Sequence, residues 1–464
     1  MKNVFLFNPP LNFQKGIPYA LDCSVPPLGL LYIASYINKH SDKFKAKVID
    51  IPAEKLSLKE IVKKINRLKP FVIGITCMTP QLQGALELAE FIRKNCRPES
   101  KIFLGGPHIS ADPTFINRFP VFDYGITGEV ETTFFDSINK LDQREKIPKI
   151  QNGKIIKNLD LLPFPDRKLI KRELYNKRES MMFSRGCPFK CYYCSRPAIS
   201  KTTRYRSADN LIKEIKLSYP FCNGKIDFQD DTFSLNKKKI IDFCMAAQKN
   251  NLKLNWRCNT RIDLVDEKLL KQMKLAGCSL IHFGIESGNE KIRKNVINKG
   301  NFTNRQIYQT FALCRKYKIK TAAYFMIGHP GETKKEIADT KKMIFKADID
   351  LLGLSIPTPF PGSKLYEIAE KKGIISKKII DKFARKELGI GYGGVYPVFI
   401  PEKLSKNYLY GQMKEINRRF YLNLKTLFQR LYSDIGSFEK LKKDTNDMLS
   451  LIFMGISSRK PYRS

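Results

Sequence analysis

Short, continuous apolar runs alternate with longer amphipathic stretches through most of the 464-residue chain, and they do so in two separate arrays. The first array holds Val4–Phe7, Val48–Ile51, Val72–Thr76, Ile102–Leu104 and Tyr124–Ile126. Between them lie helical patterns at Leu28–Asn38, Leu58–Leu68 and Leu82–Arg93. A strand that is apolar throughout must be covered on both faces, and helical crossovers between parallel strands do this. The pattern predicts an α/β fold, a Rossmann-like doubly wound parallel sheet, over residues 1–145. Loop formers follow several runs, as in Asn8-Pro9-Pro10, Gly105-Gly106-Pro107 and Gly128. Ligands of doubly wound sheets bind at those C-terminal strand ends.

The second array has six runs: Met181–Ser184, Ile226–Phe228, Leu254–Arg257, Leu280–Gly284, Ala322–Met326 and Leu352–Ile356. Thr303 with Gln306 and Thr333 with Glu336 are spaced as capping boxes that start intervening helices. Six β/α units predict a partial (β/α)6 barrel of the TIM type over residues 176–390, with its chemistry at the C-terminal mouth. Residues 146–175 read as a linker, with a turn at Asn152-Gly153 and the prolines of Leu162-Pro163-Phe164-Pro165. Residues 391–464 read as a helical C-terminal region, with amphipathic helices at Tyr408–Leu422 and Leu424–Leu431.

No apolar run approaches the roughly 18 residues that span a bilayer. Met1 to Pro10 reads as a buried strand and its exit loop, not as a signal peptide, so a cytoplasmic location is expected. Eleven cysteines in such a chain are expected to be thiols, some of them metal ligands, not a disulfide framework. The formal charge of +38 is spread in short groups such as Lys237 to Lys239. That dispersal favours a lysine-rich solvated surface over a nucleic-acid footprint.

The sharpest local signal is Ser184-Arg185-Gly186-Cys187-Pro188-Phe189-Lys190-Cys191-Tyr192-Tyr193-Cys194, spaced C-x3-C-x2-C. Three thiolates from one loop can wrap three corners of a cubane 4Fe-4S cluster. The fourth iron is then open to a substrate. Gly186 allows close backbone approach and Pro188 stiffens the loop. Zinc is the rival occupant, but it usually wants four N or S ligands, and no histidine stands near this loop.

C-x3-C-x-aromatic-C after the first strand of a partial barrel resembles the radical S-adenosylmethionine superfamily, over about residues 178–360. The resemblance implies that the open iron chelates S-adenosylmethionine and that reductive cleavage gives a 5′-deoxyadenosyl radical. It places Tyr193 near the adenine. Asp227-Phe228-Gln229-Asp230-Asp231 stands where the family has a Gly-Gly-Glu element that holds the methionyl amine. The glycine pair is missing, which leaves Asp230 or Asp231 for that role. Trp256 to Arg261 ends the third strand. Gly284-Ile285-Glu286-Ser287-Gly288 is similar to the family's Gly-Ile-Glu-Ser-Gly motif, with Glu286 for a hydroxyl or ammonium group of the cofactor. Ile327 to Glu332 ends the fifth strand, with Gly328 against the adenine. Cys258 is expected to be a buried thiol and His282 a core histidine.

The first array resembles the cobalamin-binding domain that precedes the barrel in one radical S-adenosylmethionine subgroup. Pro26-Pro27-Leu28-Gly29-Leu30-Leu31-Tyr32, Gly74-Ile75-Thr76-Cys77, Gly105-Gly106-Pro107-His108-Ile109-Ser110 and Gly128-Glu129 carry the likeness. It implies that small residues at strand ends make room for the corrin and its nucleotide tail, with Thr76 and Ser110 offering hydroxyls. The Asp-x-His-x-x-Gly motif of some cobalamin proteins is absent, and His108 follows Gly106-Pro107. Cobalt is then expected without a protein histidine. His108 is left either to hydrogen-bond a phosphate or the backbone, or to act in chemistry.

These resemblances imply a cobalamin-dependent radical enzyme. Its expected reaction is methyl transfer to an unactivated carbon of a small molecule, lipid or tetrapyrrole, with cyclisation and oxidation also open. A one-electron reductant such as a flavodoxin or ferredoxin is implied. The alternative is RNA methylthiolation, which would need a second cluster on cysteines such as Cys23, Cys77 and Cys96. A plain electron carrier fits less well, because carriers close the coordination shell.

Overall fold

A computed structural model of the chain describes residues 1–13, 25–96, 100–175, 178–200, 202–388 and 398–423. The first sheet comprises β1 (Lys2–Asn8), β2 (Phe44–Asp50), β3 (Val72–Thr76), β4 (Lys101–Gly105), β5 (Tyr124–Thr127) and β6 (Ile150–Asn152). Their order is β2-β1-β3-β4-β5-β6, and the pairs are parallel. The order reverses between β1 and β3, which makes their C-terminal ends a topological switch point. Val4 pairs with Ala46 on one side and Val72 on the other, so the β1 side chains sit in a two-sided apolar core. Leu30, Leu31, Ala34 and Ile37 of the helix Leu28–His40 cover one face, with Phe134 and Ile138. The helix Leu58–Leu68 begins where its sequence says: Ser57 accepts from the Glu60 N–H, and the Glu60 carboxylate returns to the Ser57 N–H at 2.8 Å. β6 adds an edge strand that no apolar run announces.

In the second array, β7 (Glu179–Met181) is followed by a two-stranded antiparallel ribbon, β8 (Ser184–Arg185) and β9 (Arg204–Tyr205). Then come β10 (Lys225–Phe228), β11 (Asn255–Thr260), β12 (Cys278–Glu286), β13 (Lys320–Met326) and β14 (Leu351–Ser355). These form a six-stranded sheet in the order β14-β13-β12-β11-β10-β7. Sequential neighbours, parallel pairing and intervening helices are the partial barrel expected. One expected strand is corrected. Met181–Ser184 is not continuous, because the Asp230 carboxylate accepts from the N–H groups of Phe183 (3.0 Å) and Ser184 (2.5 Å). Those donors are taken from the sheet, and the chain leaves β7 for the ribbon.

The described residues divide into two compact units. The first draws on Met1–Phe189, Cys194–Trp256 and Phe360–Leu388, the second on Lys190–Tyr193, Arg257–Pro359 and 398–423. In the first unit, Trp256 packs edge-on or tilted among Phe228, Phe233 and Phe243, with ring centroids 5.3–5.9 Å from it. The helix Lys377–Ala384 is tied to the first sheet's helices by Arg118–Asp381 (2.8 Å) and by Gln83 donating to the Phe383 carbonyl (3.0 Å). In the second unit, Leu409 and Met413 of the helix Lys406–Tyr421 pack on Ile327, Ile337 and Ile356. That helix is the one expected at Tyr408–Leu422; the helix expected at Leu424–Leu431 lies outside the described residues.

Candidate functional site

A cavity of about 240 Å³ opens at the C-terminal ends of the first sheet, within the first unit. Thr76, Gly106, Gly128 and Glu129 line one part of it. Two turns shape this wall. Gly106 has φ +97°, and a Cβ there would stand 2.8 Å from the Cys77 N and 2.9 Å from Thr76 Oγ1. Only glycine fits both constraints. Gly128 has φ +70°. Ser110 links the turns: its hydroxyl donates to the Gly106 carbonyl (3.0 Å) and accepts from the Gly128 N–H (2.9 Å).

A smaller slot of about 50 Å³ shares Leu30, Ile33, Thr76, Gly106 and Val130 with that cavity. Gly105 lines the slot only. The rest of its wall is apolar, including Leu6, Phe103 and Phe134. Gly74 keeps it open, since a Cβ there would meet Leu6 Cδ2 at 2.8 Å. A wide cleft joined to a narrow apolar slot suits a broad planar ligand that carries a flat appendage.

The opposite part of the large cavity is the cluster loop's approach: Ser184, Arg185, Gly186, Arg196 and Asp231. Gly186 has φ +91°, and a Cβ would lie 2.2 Å from the Thr202 carbonyl. The loop is therefore held against the segment that leads into β9. The two acids of the second strand end diverge. Asp230 is buried and spends its oxygens on Phe183 and Ser184, and it does not line the cavity. Burial pushes its carboxyl up to about 7, against those hydrogen bonds. Asp231 does line the cavity, 2.6 Å from the Arg196 guanidinium. Burial raises its pKa, while Arg196 and the Gly186 N–H oppose the shift.

Cys187, Cys191 and Cys194 are partly buried, and none is in a disulfide. The Cys187 sulfur stands 3.5 Å from the Thr232 hydroxyl, and the Cys194 sulfur accepts from the Arg196 N–H at 3.4 Å. Backbone N–H groups aimed at sulfur are a common device around iron–sulfur clusters. Among the described residues, no three His, Cys, Asp or Glu side chains gather closely enough to share one metal ion. A cubane asks for something else, since each thiolate binds a different iron. The donor set fits it.

Glu129 sits at the rim, with its carboxylate committed to Arg204 (3.0 Å) and Arg185 (3.5 Å). Burial works to raise its pKa, but the two guanidinium groups hold it below the usual range. Arg185 also bonds Glu131 (2.7 Å) and lies over the Tyr32 ring. His108 is fully buried and lines neither cavity; its Nδ1 meets the Thr79 hydroxyl at 3.1 Å and its ring abuts Phe115. Burial pushes the imidazole down to about 4, so it is neutral. Cys77 is buried at the end of β3, and burial raises its thiol pKa strongly. Cys96 ends a helix, and Cys23 lies outside the described residues.

In the second unit, the Tyr193 hydroxyl donates to Glu286 Oε1 at 2.8 Å, and Lys299 Nζ donates to the same oxygen at 2.6 Å. Glu286 ends β12 beyond a bulge, at φ +72°. Gly284 leaves the space for this pair: a Cβ there would lie 2.4 Å from Glu286 Oε1 and 2.6 Å from Lys299 Nζ. His329 is buried; its Nε2 donates to the Glu286 carbonyl (3.2 Å), so its Nδ1 accepts from the Tyr192 hydroxyl (2.8 Å). Gly328 has φ +97°, and its nearest neighbours are Leu409 and Ile356. Its N–H and that of His329 bond the buried Glu332, whose pKa is raised by burial. Cys258 is buried, as expected, whereas His282 is half-buried and hydrogen-bonded to Tyr324.

Sequence reasoning passed over Lys299 and Arg204. Neither stands in a motif. The one signal was Gly300 after Lys299, which takes φ +104°.

The radical SAM superfamily model matches residues 181–344, and the B12 binding domain model matches residues 21–136. An uncharacterized methyltransferase of Pyrococcus horikoshii is 31% identical over 455 residues, covering 93% of this chain and 95% of that protein. The anaerobic magnesium-protoporphyrin IX monomethyl ester cyclase of Rubrivivax gelatinosus is 27% identical over 427 residues, 86% of this chain and 74% of that one. Among solved structures, the radical S-adenosylmethionine methyltransferase TsrM from Kitasatospora setae, with cobalamin and a 4Fe-4S cluster bound, matches with a TM-score of 0.69 at 17% identity. That match covers 90% of this chain and 88% of TsrM, and it is a likeness of fold.

Proposed function

Since the chain belongs to the radical S-adenosylmethionine superfamily and carries a B12 binding domain ahead of the radical domain, we propose that it is a cobalamin-dependent methyltransferase acting on an unactivated carbon of a small molecule. One observation carries this reading. The glycine turns of the first sheet and the approach to the cysteine loop line a single cavity.

When bound, the cluster supplies the electron that cleaves S-adenosylmethionine, and cobalamin supplies a methyl carrier. The chain's own residues bind and orient. Cys187, Cys191 and Cys194 are the cluster ligands. Gly105, Gly106, Gly128 and Thr76 give the corrin and its tail room at the strand ends, with Ser110 fixing the turns; no histidine lines the cavity among the described residues. Asp231 faces the cavity and takes the polar role toward S-adenosylmethionine, whereas Asp230 positions the loop. Tyr193 and Glu286, held by Lys299, form a second polar contact for that cofactor. Glu129 lines the cavity beside the corrin turns, and His108 supports them from behind. We assign residues 1–145 to cobalamin, 146–175 to a linker, 176–390 to the radical chemistry and 391–464 to a helical region. The protein is placed in the cytoplasm, with a flavodoxin or ferredoxin as reductant. No helix among the described residues is long and apolar enough to cross a membrane.

Methylthiolation of RNA is the weaker reading, because buried Cys77 is a poor ligand for a second cluster. Methyl transfer is tested on anaerobically loaded protein by product analysis. Formation of S-adenosylhomocysteine beside 5′-deoxyadenosine is expected, and 5′-deoxyadenosine alone would move the reaction to cyclisation or oxidation.

A further inference from the structure

The segment Lys190–Tyr193, which carries Cys191, packs with the second unit, and its backbone is held there from both sides. The Tyr192 N–H donates to the Ile297 carbonyl (3.2 Å), and Asn298 Nδ2 donates to the Lys190 carbonyl (3.4 Å). Ile297 closes a π-helical turn, Ile292–Ile297, and Asn298 follows it at φ +56°. Such turns are rare and occur mostly at functional sites.

The side chains are held by a closed ring of bonds. The Tyr192 hydroxyl donates to His329 Nδ1 (2.8 Å), and His329 Nε2 donates to the Glu286 carbonyl (3.2 Å). The Glu286 carboxylate accepts from the Tyr193 hydroxyl (2.8 Å), and the Tyr192–Tyr193 peptide bond completes the ring. Tyr192 and His329 are buried, 5% and 0% exposed. Both imidazole nitrogens are used, so the ring admits one tautomer. The His329 backbone is fixed in turn, because Glu332 accepts from the N–H groups of Gly328 (2.6 Å) and His329 (3.0 Å). Buried bonds whose donors and acceptors are matched in this way make a rigid link. One end of the link is the neighbour of Cys191. The other is the backbone of Glu286, the candidate cofactor contact.

We propose that His329 is a positioning residue for S-adenosylmethionine. Acting through Tyr192, it fixes the Cys191 segment relative to Glu286, so the groups offered to the cofactor are set before it arrives. Ordering done in advance is not charged against binding. The proposal rests on the reading of Cys191 as a cluster ligand and of Glu286 as a cofactor contact.

The test uses the full chain, loaded anaerobically and left unreduced so that no cofactor is cleaved. Binding of labelled S-adenosylmethionine is measured by equilibrium dialysis, with iron content and the EPR spectrum of the separately reduced, cofactor-free cluster. Tyr192→Phe removes the hydroxyl. His329→Gln keeps an N–H for the Glu286 carbonyl and leaves Tyr192 unpaired, so both variants break the same bond. Tyr421→Phe is the control, since it removes a buried hydroxyl that donates to the Leu352 carbonyl elsewhere in the same unit. Each of the first two variants is expected to raise the Kd by about tenfold, the factor carried by one hydrogen bond of about 1.4 kcal/mol. The double variant should be no weaker than either, and both singles should show the same displaced EPR lines. The control should bind as wild type does. Loss of iron from both variants and not from the control is the stronger form of the same result. A wild-type Kd in Tyr192→Phe and His329→Gln, a control weakened as much as they are, or a double variant in which the two losses multiply overturns the proposal. A wild type that holds its cluster and binds no S-adenosylmethionine overturns the radical reading, and the proposal with it.

Discussion

A glutamate in the left-handed region carries a backbone cost of about 1–2 kcal/mol, and Glu286 bears it at the end of β12. Lys299 and Tyr193 are what hold it there, through two short bonds to one oxygen. The Lys299–Glu286 pair is buried, so removing one partner leaves a charge without compensation. Lys299→Met is expected to destabilise the protein by about 3–5 kcal/mol in denaturant unfolding. Lys299→Met with Glu286→Gln should recover most of that loss, and a double variant as unstable as the single one would contradict the pairing. His108 makes a second residue-scale case. Its folded pKa is depressed, so the unfolded chain binds the proton first as the pH falls. Stability is expected to decline from about pH 6.5 towards pH 4. His108→Gln should flatten that slope in a pH series of thermal melts. Neither residue's setting was legible in the chain. Glu286 was visible as a motif, but its lysine lies thirteen positions on, in a turn that no periodicity marks. His108 follows two glycines and a proline, which left a phosphate, the backbone or chemistry open to it; tertiary packing turns its ring into the core instead.

At the scale of elements, the local grammar of the chain was readable. β3 spans the residues of its apolar run, and the Thr303 capping box closes as its spacing implies. Such signals are carried within a few residues. The end of β7 was not readable, because it is set by Asp230, which arrives more than forty positions later. β6 was missed for a related reason: three residues at a sheet edge have no need of an apolar run. The glycine turns fall between these cases. Gly106 was visible as a loop former, while its positive φ and crowded Cβ position are properties of the fold. Gly106→Ala is expected to cost cobalamin and not iron. After loading, the variant should lose corrin absorbance while keeping the iron content of wild type; full corrin retention would exclude this turn as part of the cobalamin cradle.

At the scale of the molecule, two parallel arrays in tandem announced two parallel sheets, since continuous apolar strands admit few other covers. What the chain could not announce is that Asp231 and the cysteine loop's approach would line the cavity bounded by Gly106 and Gly128. That placement depends on long-range packing, and the joint use of a cluster and a corrin rests on it. The most direct measurement is 5′-deoxyadenosine formation from S-adenosylmethionine and a one-electron reductant, on protein loaded anaerobically with iron, sulfide and cobalamin. Wild type is run beside the variant carrying Cys187→Ala, Cys191→Ala and Cys194→Ala. Deoxyadenosine from wild type, its disappearance in the triple variant and retention of corrin absorbance in both are expected. An iron-free wild type that never cleaves S-adenosylmethionine, or a triple variant that cleaves it as well as wild type, would contradict the assignment of the cluster to these cysteines.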